Sequence, residues 1–341
     1  MFFAQTKRKG VENVQDSVLS EELFRRSFIV AILIGVICRG LVLRVTDKQY
    51  PSRPQDYVEQ IIMSSLAAAL GAIAFPALLD KEFSALTFFA VAIQQFQGIS
   101  NQERISIGNV DKSSIVPKGG AYIEEICSTY ESRSYISLIT SLVASIAFIR
   151  SFNVYEWGYI GATIYASVLG GVVGLIFRRY LRRDSIRDIA QVVEAKITFD
   201  GPVLKVNNIM IDNIGLEDSR DRYLTKGLAI EIKPTKGNFG IINDEGQKQA
   251  ILNNIFIHLG IDKDVDEKDI LAMSRTDLNN QSVVIPYIPL LKDLEEMIKV
   301  VKSTPILESA KGKQSAYQKA LKKGWSYGSN VFCRNNSWNV I

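Results

Sequence analysis

The chain has 341 residues, 47% of them hydrophobic, with 40 Lys and Arg against 36 Asp and Glu and a formal net charge of +4. This composition excludes a disordered or collagen-like chain. The charge is too small and too evenly spread to point to a nucleic-acid partner. Three cysteines (Cys38, Cys127, Cys333), with no CxxC spacing, exclude a disulfide scaffold or a zinc ribbon.

Charge divides almost evenly, 19 Lys and Arg against 16 Asp and Glu over residues 1–184 and 21 against 20 over 185–341. Apolar residues do not: long uncharged runs fall only in the first part. The pattern predicts a helical transmembrane domain over residues 27–183, preceded by a polar segment, 1–26, and followed by a soluble, cytoplasmic α+β domain over 184–341. The polar opening stretch and the lack of a small-residue cleavage site argue against a cleaved signal peptide.

In chain order, Arg25 and Arg26 precede the first apolar run, Phe28 to Leu43, which reads as a span interrupted by Arg39. Arg39 is expected near the far interface, its head group snorkelling outward; the alternative is a buried partner for a carboxylate or lipid phosphate. Ile61 to Leu79 is an uncharged second span with Pro76 near its end. Phe83 to Phe96 is too short for a span and reads as a re-entrant or interfacial segment. Ile136 to Ile149 and Trp157 to Phe177 complete about four spans, with Tyr155, Trp157 and Tyr159 forming an aromatic belt. Arg178, Arg179, Arg182 and Arg183 close this half as a basic cluster facing lipid head groups on the cytoplasmic side. An even number of crossings puts both chain ends in the cytoplasm.

Past Asp184 the pattern changes to β-branched runs. Val192 to Phe199 and Val203 to Val206 flank an Asp200-Gly201 hairpin turn. Leu228 to Ile232, Phe239 to Ile242 and Val283 to Ile288 read as further strands. Gln247 to Leu259 and Leu290 to Val301 read as helices, the first stopped by Gly260. His258 is expected on the apolar side of its helix, as a core or interface residue.

Small residues recur every four positions in the last two spans: Ser137, Ser141 and Ser145, then Ala162, Ala166, Gly170 and Gly174. Such faces let helices approach closely in lipid, within one chain or between subunits. A serine-lined path for a solute is the sharper alternative. Ahead of the third span, Lys118-Gly119-Gly120 precedes Tyr122-Ile123-Glu124-Glu125-Ile126-Cys127 and Glu131-Ser132-Arg133-Ser134-Tyr135. A helix starting after Gly120 places both glutamates in its first turns, where carboxylates favour the positive end of the helix dipole. Tyr122, Glu124, Glu125 and Arg133 are the candidate partner-binding residues. Lys311, Lys313, Lys319, Lys322 and Lys323 form a basic stretch that suits anionic lipid or plain solvent.

The hexapeptide at 122–127 resembles the signature of the YIEGIA family of membrane proteins from endospore-forming bacteria. Tyr122, Ile123, Glu124 and Ile126 match it; Glu125 and Cys127 stand where it has Gly and Ala. The likeness extends to Asn243-Asp244-Glu245-Gly246-Gln247, to Thr304-Pro305-Ile306-Leu307-Glu308-Ser309 and to the layout of the chain. The resemblance implies a sporulation-linked membrane assembly protein, in the cell membrane or a membrane of the developing spore, served by a small soluble capping subunit.

No phosphate loop, nucleophile elbow, zinc-protease or dinucleotide motif occurs. The expectation is a non-catalytic structural protein without cofactor or metal, which self-associates as a homo-oligomer in the bilayer and recruits the soluble partner. The alternatives are a channel or transporter for a small solute and a membrane-interfacial enzyme.

Overall fold

A computed structural model of the chain describes residues 20–46, 54–80, 83–180, 184–235, 237–264 and 267–312. Most of the polar segment 1–26, Arg182, Arg183 and the lysines from Lys313 onward lie outside them. The chain divides into two compact units, Met1–Glu103 with Cys127–Arg182 and Arg104–Ile126 with Arg183–Ile341. A single boundary after residue 183 does not describe this division, because segment 104–126 groups with the α+β part.

The first unit is helical: α1 (Glu21–Thr46), α2 (Pro54–Leu79), most of α3 (Phe83–Asp111), most of α4 (Gly120–Tyr155) and α5 (Tyr159–Tyr180). Pro54 opens α2, where a missing N–H costs nothing, and Pro76 is carried inside its last turns. Among the described residues, three stretches are long and apolar enough to cross a membrane: Gln60–Leu79, Ser134–Tyr155 and Tyr159–Tyr180. The run Phe28 to Leu43 lies on α1, which is not one of the three. Segment 83–96 is not a short separate element but the first half of a 29-residue helix. No proline interrupts it before Asp111.

The small-residue faces are filled within the chain. The Ser137 hydroxyl donates to the Gly35 carbonyl at 3.4 Å and the Ser145 hydroxyl to the Ala72 carbonyl at 3.0 Å, which ties α4 to α1 and α2. Ser141 donates back to Leu138 O at 3.0 Å. A Cβ on Gly71 would lie 2.1 Å from Leu138 O and 2.2 Å from Ser141 Oγ, so α2 and α4 meet backbone to side chain. On α5, Ala162, Ala166, Gly170 and Gly174 are buried. A Cβ on Gly170 would meet Ile34 Cγ2 at 2.6 Å, and one on Gly174 would meet Cys38 Sγ at 2.7 Å. The opposite face of α5 exposes Ile160, Ile164, Val168, Val172 and Ile176.

Arg39 does not snorkel. It is buried, and its guanidinium donates to the Gln60 side chain on α2. A charged donor inside a helical bundle demands such acceptors. At the other end of α1, the Arg26 guanidinium sits 4.1 Å from the Tyr159 ring centre, and Trp157 packs edge-on against Tyr165 at 5.6 Å.

The second unit holds two antiparallel sheets. After a helical turn, α6 (Ile186–Ile189), come β1 (Ala190–Glu194), β2 (Ile197–Asp200), β3 (Val203–Val206), β4 (Ile209–Asn213), α7 (Glu217–Thr225), β5 (Leu228–Pro234), α8 (Phe239–Ile242), α9 (Glu245–Leu259), β6 (Arg275–Asp277), β7 (Ser282–Tyr287) and α10 (Leu294–Ser303). One sheet runs β1-β5-β7-β6; the other is the meander β2-β3-β4. The Asp200-Gly201 turn joins β2 to β3 with Asp200 paired to Val203, as the sequence predicts. The run 192–199 is not one strand. It breaks at Ala195 and Lys196, where Ala195 N donates to Ala229 O and Lys196 N to the Asn207 side chain, so its halves enter different sheets.

Phe239 to Ile242 is also not a strand but the single helical turn α8, its apolar side chains buried. Helix α9 starts where Asp244 accepts from Gln247 N at 3.2 Å and ends at Gly260, whose φ of 65° a side chain would strain. His258 is exposed on α9 rather than buried, because the inward arc of the last turn is taken by Leu259. Helix α7 is clamped to the segment after α9: Arg222 bonds Glu267 and reaches Asp262 Oδ1 at 3.2 Å, and Lys226 meets Asp262 Oδ2 at 2.7 Å.

Candidate functional site

The second unit gathers the three stretches that carry the family resemblance. It begins with the loop between α3 and α4. The Asp111 carboxylate accepts from the backbone N–H groups of Lys118 and Gly119, closing the loop on itself. Gly119 has φ of 82°, a conformation that suits glycine and lets the chain turn into α4. Helix α9 then grips this loop: the Asn253 side chain donates to Val116 O at 2.8 Å and Gln249 to Pro117 O.

The first turns of α4 carry the hexapeptide, whose Tyr122 and Ile126 are packed into the unit's own core. Tyr122 is buried with Ile241, Ala250, Ile306, Leu307 and Ala310. Its hydroxyl donates to Asn254 Oδ1 at 3.3 Å, and Asn254 Nδ2 donates to Thr304 Oγ1 at 3.1 Å. Ala121 faces Gly246 so closely that a Cβ there would lie 2.6 Å from Ala121 Cβ. Gln247 joins the other two stretches: its Nε2 donates to Pro305 O at 3.0 Å and its Oε1 accepts from Leu307 N at 2.8 Å. Glu125, in place of the hexapeptide's Gly, is buried, and its Oε2 accepts from Glu308 N at 3.3 Å. Segments 121–125, 244–247 and 304–308 therefore form one junction of backbone-to-side-chain bonds around a small apolar core.

Of the four candidate partner-binding residues, the structure buries two and exposes one. Tyr122 and Glu125 are engaged inside the junction. Glu124 is exposed and ion-paired with Arg104 at 2.8 Å. The Arg133 side chain lies outside the described residues. Arg178 and Arg179 are exposed in the last turn of α5. Lys311 pairs with Glu308 at 2.8 Å and with Asp184 at 3.7 Å rather than extending freely. Among the described residues, no group of three or more His, Cys, Asp or Glu is arranged to hold a metal ion.

The sequence reading missed Asn253, Asn254, Gln247 and Thr304 as parts of this site. Gln247, Asn253 and Asn254 lie on the 247–259 helix, which the sequence offers as a contact surface for a partner, and the structure instead turns these side chains to the chain's own loop and to residues 304–307.

Membrane-length helices joined to an α+β unit, with the signature packed as part of that unit, define the class. The chain belongs to the YIEGIA family, whose model, described as YIEGIA protein, matches residues 27–317. It is 32% identical over 284 residues to the uncharacterized protein YphB of Bacillus subtilis (strain 168), covering 83% of this chain and 92% of that relative. No solved structure matches the chain.

Proposed function

We propose that this chain is a non-catalytic integral membrane protein of a sporulation-linked assembly, which self-associates and holds a small soluble capping-type partner. The observation that carries this reading is the junction at Tyr122, Gln247 and Leu307. Tyr122 bonds the Asn254 side chain, and Glu125 and Gln247 bond the chain's own backbone, which fits a structural brace better than a reactive cleft. The link to sporulation rests on the family and on a relative from an endospore-forming organism.

In this reading α3 crosses, because α2 and α4 both run antiparallel to α1 and α3 returns the chain between them, and so does α1. The exposed residues Ile29, Leu33, Ile37 and Leu41 of α1 recur every four positions, as a lipid-facing stripe does. Helices α1 and α5 run parallel, since Arg26 meets Tyr159 at the start of α5 while Ile34 and Cys38 meet Gly170 and Gly174 toward its end. Arg25 and Arg26 therefore lie at the opposite end of the bundle from Arg178 and Arg179, which corrects the expectation of both basic groups on one, cytoplasmic, side. The partner meets the exposed Glu124–Arg104 pair, since Tyr122 and Glu125 are covered. Self-association uses surfaces other than the small-residue faces of α4 and α5, which are already filled. The serine ladder bonds to backbone carbonyls, which does not favour a solute path along it.

The test is charge reversal at the exposed pair. Glu124→Lys lowers recovery of the soluble partner with the membrane protein, and the double variant Glu124→Arg with Arg104→Glu restores part of it. Unchanged recovery in the single variant contradicts this partner surface.

A further inference from the structure

The chain leaves α5 at Tyr180 and reaches Arg187 in the short turn α6. That turn is fixed against the far end of α10. Ile186 N donates to Thr304 O at 3.0 Å, Ile306 N donates to Asp184 O at 3.1 Å, and Ser185 forms a bridge with Pro305. Ile186 is fully buried, so the backbone that carries Arg187 is held in place.

Between α6 and α10 lies a cavity of about 390 Å³, lined by Arg187, Glu295, Ile298, Lys299, Lys302 and Ser303. Glu295, Ile298, Lys299 and Lys302 share one stripe of α10, at spacings of three, one and three. Three cations against one carboxylate leave the lining with a net positive charge.

The protein itself makes little use of these cations. Lys302 is half-buried and makes no ion pair or hydrogen bond with a described residue. Arg187 meets only its neighbour Asp188, 3.6 Å from Nε, a half-exposed pair of a kind that contributes little. The Asp188 carboxylate is turned to Ser185, accepting from its N–H at 2.8 Å and from its hydroxyl at 3.0 Å. Lys299 is paired with Glu296 at 2.9 Å and adds its field. By contrast, Arg220, Arg222, Lys226 and Lys311 in the same unit each meet a carboxylate within 3.2 Å.

We propose that this cavity binds a phosphate group, with the Arg187 guanidinium and the Lys302 ammonium as its donors. A guanidinium offers two parallel N–H donors that match two phosphate oxygens, and an ammonium adds a point charge. The volume is that of a small-ligand site. Ile298 and the lysine stems suit the carbon part of a phosphate ester. Glu295, two turns from Lys302, disfavours a second anionic group at the other end of the stripe. Two sources present this chemistry, a soluble phosphate ester and an anionic lipid head group. The second is included because Arg187 follows so soon after a membrane-length helix.

Hydrogen exchange on the full-length protein, in a sugar-based detergent and phosphate-free buffer, tests it. The probes are glycerol 3-phosphate and phosphatidylglycerol added to the micelles. Either probe slows exchange over 185–188 and 298–303. Lys302→Gln raises the half-saturating concentration on the order of tenfold, as loss of one charge-assisted contact does. Arg187→Lys, which keeps the charge but not the fork, gives a smaller rise. Lys292→Gln, outside the cavity, gives none. Unchanged exchange over 228–234 and 282–287 shows that each variant is folded. Protection by phosphatidylglycerol alone assigns the site to a head group, and protection by glycerol 3-phosphate alone assigns it to a soluble ester. Protection by both supports a phosphate site open to either. No protection by either probe, or equal protection in a folded Arg187→Gln, Lys302→Gln double variant, overturns the proposal.

Discussion

The Tyr122 hydroxyl donates to Asn254 Oδ1 at 3.3 Å, joining residues 132 positions apart. Asn254 passes the link to Thr304 Oγ1, which donates in turn to Val300 O at 3.1 Å. One tyrosine in the first turns of a long helix is thereby fastened to α9 and to the end of α10. Removing the hydroxyl in Tyr122→Phe leaves a buried amide oxygen unsatisfied, at a cost of about 1–2 kcal/mol. Tyr122→Ala also leaves a cavity and costs about 3–5 kcal/mol. Amide hydrogen exchange over 120–126 and 304–310 reads both, and equal exchange in Tyr122→Phe and parent contradicts the assigned bond.

Gln247 carries two bonds with one side chain, to Pro305 O and from Leu307 N. Gln247→Leu keeps the approximate volume but strands a buried donor and acceptor. The expected loss is about 2–4 kcal/mol, with faster exchange at Leu307 in particular. A loss confined to the first turn of α9, with Leu307 still protected, would place the role of Gln247 in the helix alone.

Two glycines separate packing from helix propensity in the first unit. Gly71→Ala drives a methyl into Leu138 O and Ser141 Oγ, whereas a Cβ at Gly171 meets nothing within 4 Å. Gly71→Ala lowers the thermal midpoint of the detergent-purified protein by overpacking, about 1–3 kcal/mol. Gly171→Ala leaves it unchanged or raises it, since alanine is the better helix former by about 1 kcal/mol. Equal effects of the two would contradict the close contact of α2 with α4.

The α7 clamp is sensitive to acid. The hydrogen bond from Lys226, together with the Arg222 charge, holds the Asp262 carboxyl below its ordinary range against the opposing effect of burial. A carboxyl lowered in the folded state adds stability above its unfolded pKa, and that stability is lost as pH falls through the folded value. Exchange protection over 217–226 therefore drops on acidification below roughly pH 4. Asp262→Asn starts lower, and the part of that drop due to Asp262 is absent. An identical pH profile in the two proteins would remove Asp262 from the clamp.

How much of this was legible in the sequence depends on the range of the forces involved. Local signals read correctly: the uncharged run ending at Leu79, the Asp200-Gly201 turn, and α9 between Asp244 and Gly260. Failures fall where a distant partner decides. Phe239 to Ile242 is four apolar residues with no period long enough to separate strand from helix. The split of 192–199 is set by Ala229 and Asn207, which no local pattern reveals. Arg39 read as an interfacial charge because its acceptor, Gln60, lies on another helix. The hexapeptide was visible as a motif, but its burial depends on Asn254 and Leu307, more than 100 residues away.

The most direct measurement of the proposed role is the mass and composition of the full-length protein drawn gently from the membranes of its native host. The account predicts more than one copy of the chain together with a small soluble protein. A single chain recovered without any companion contradicts it.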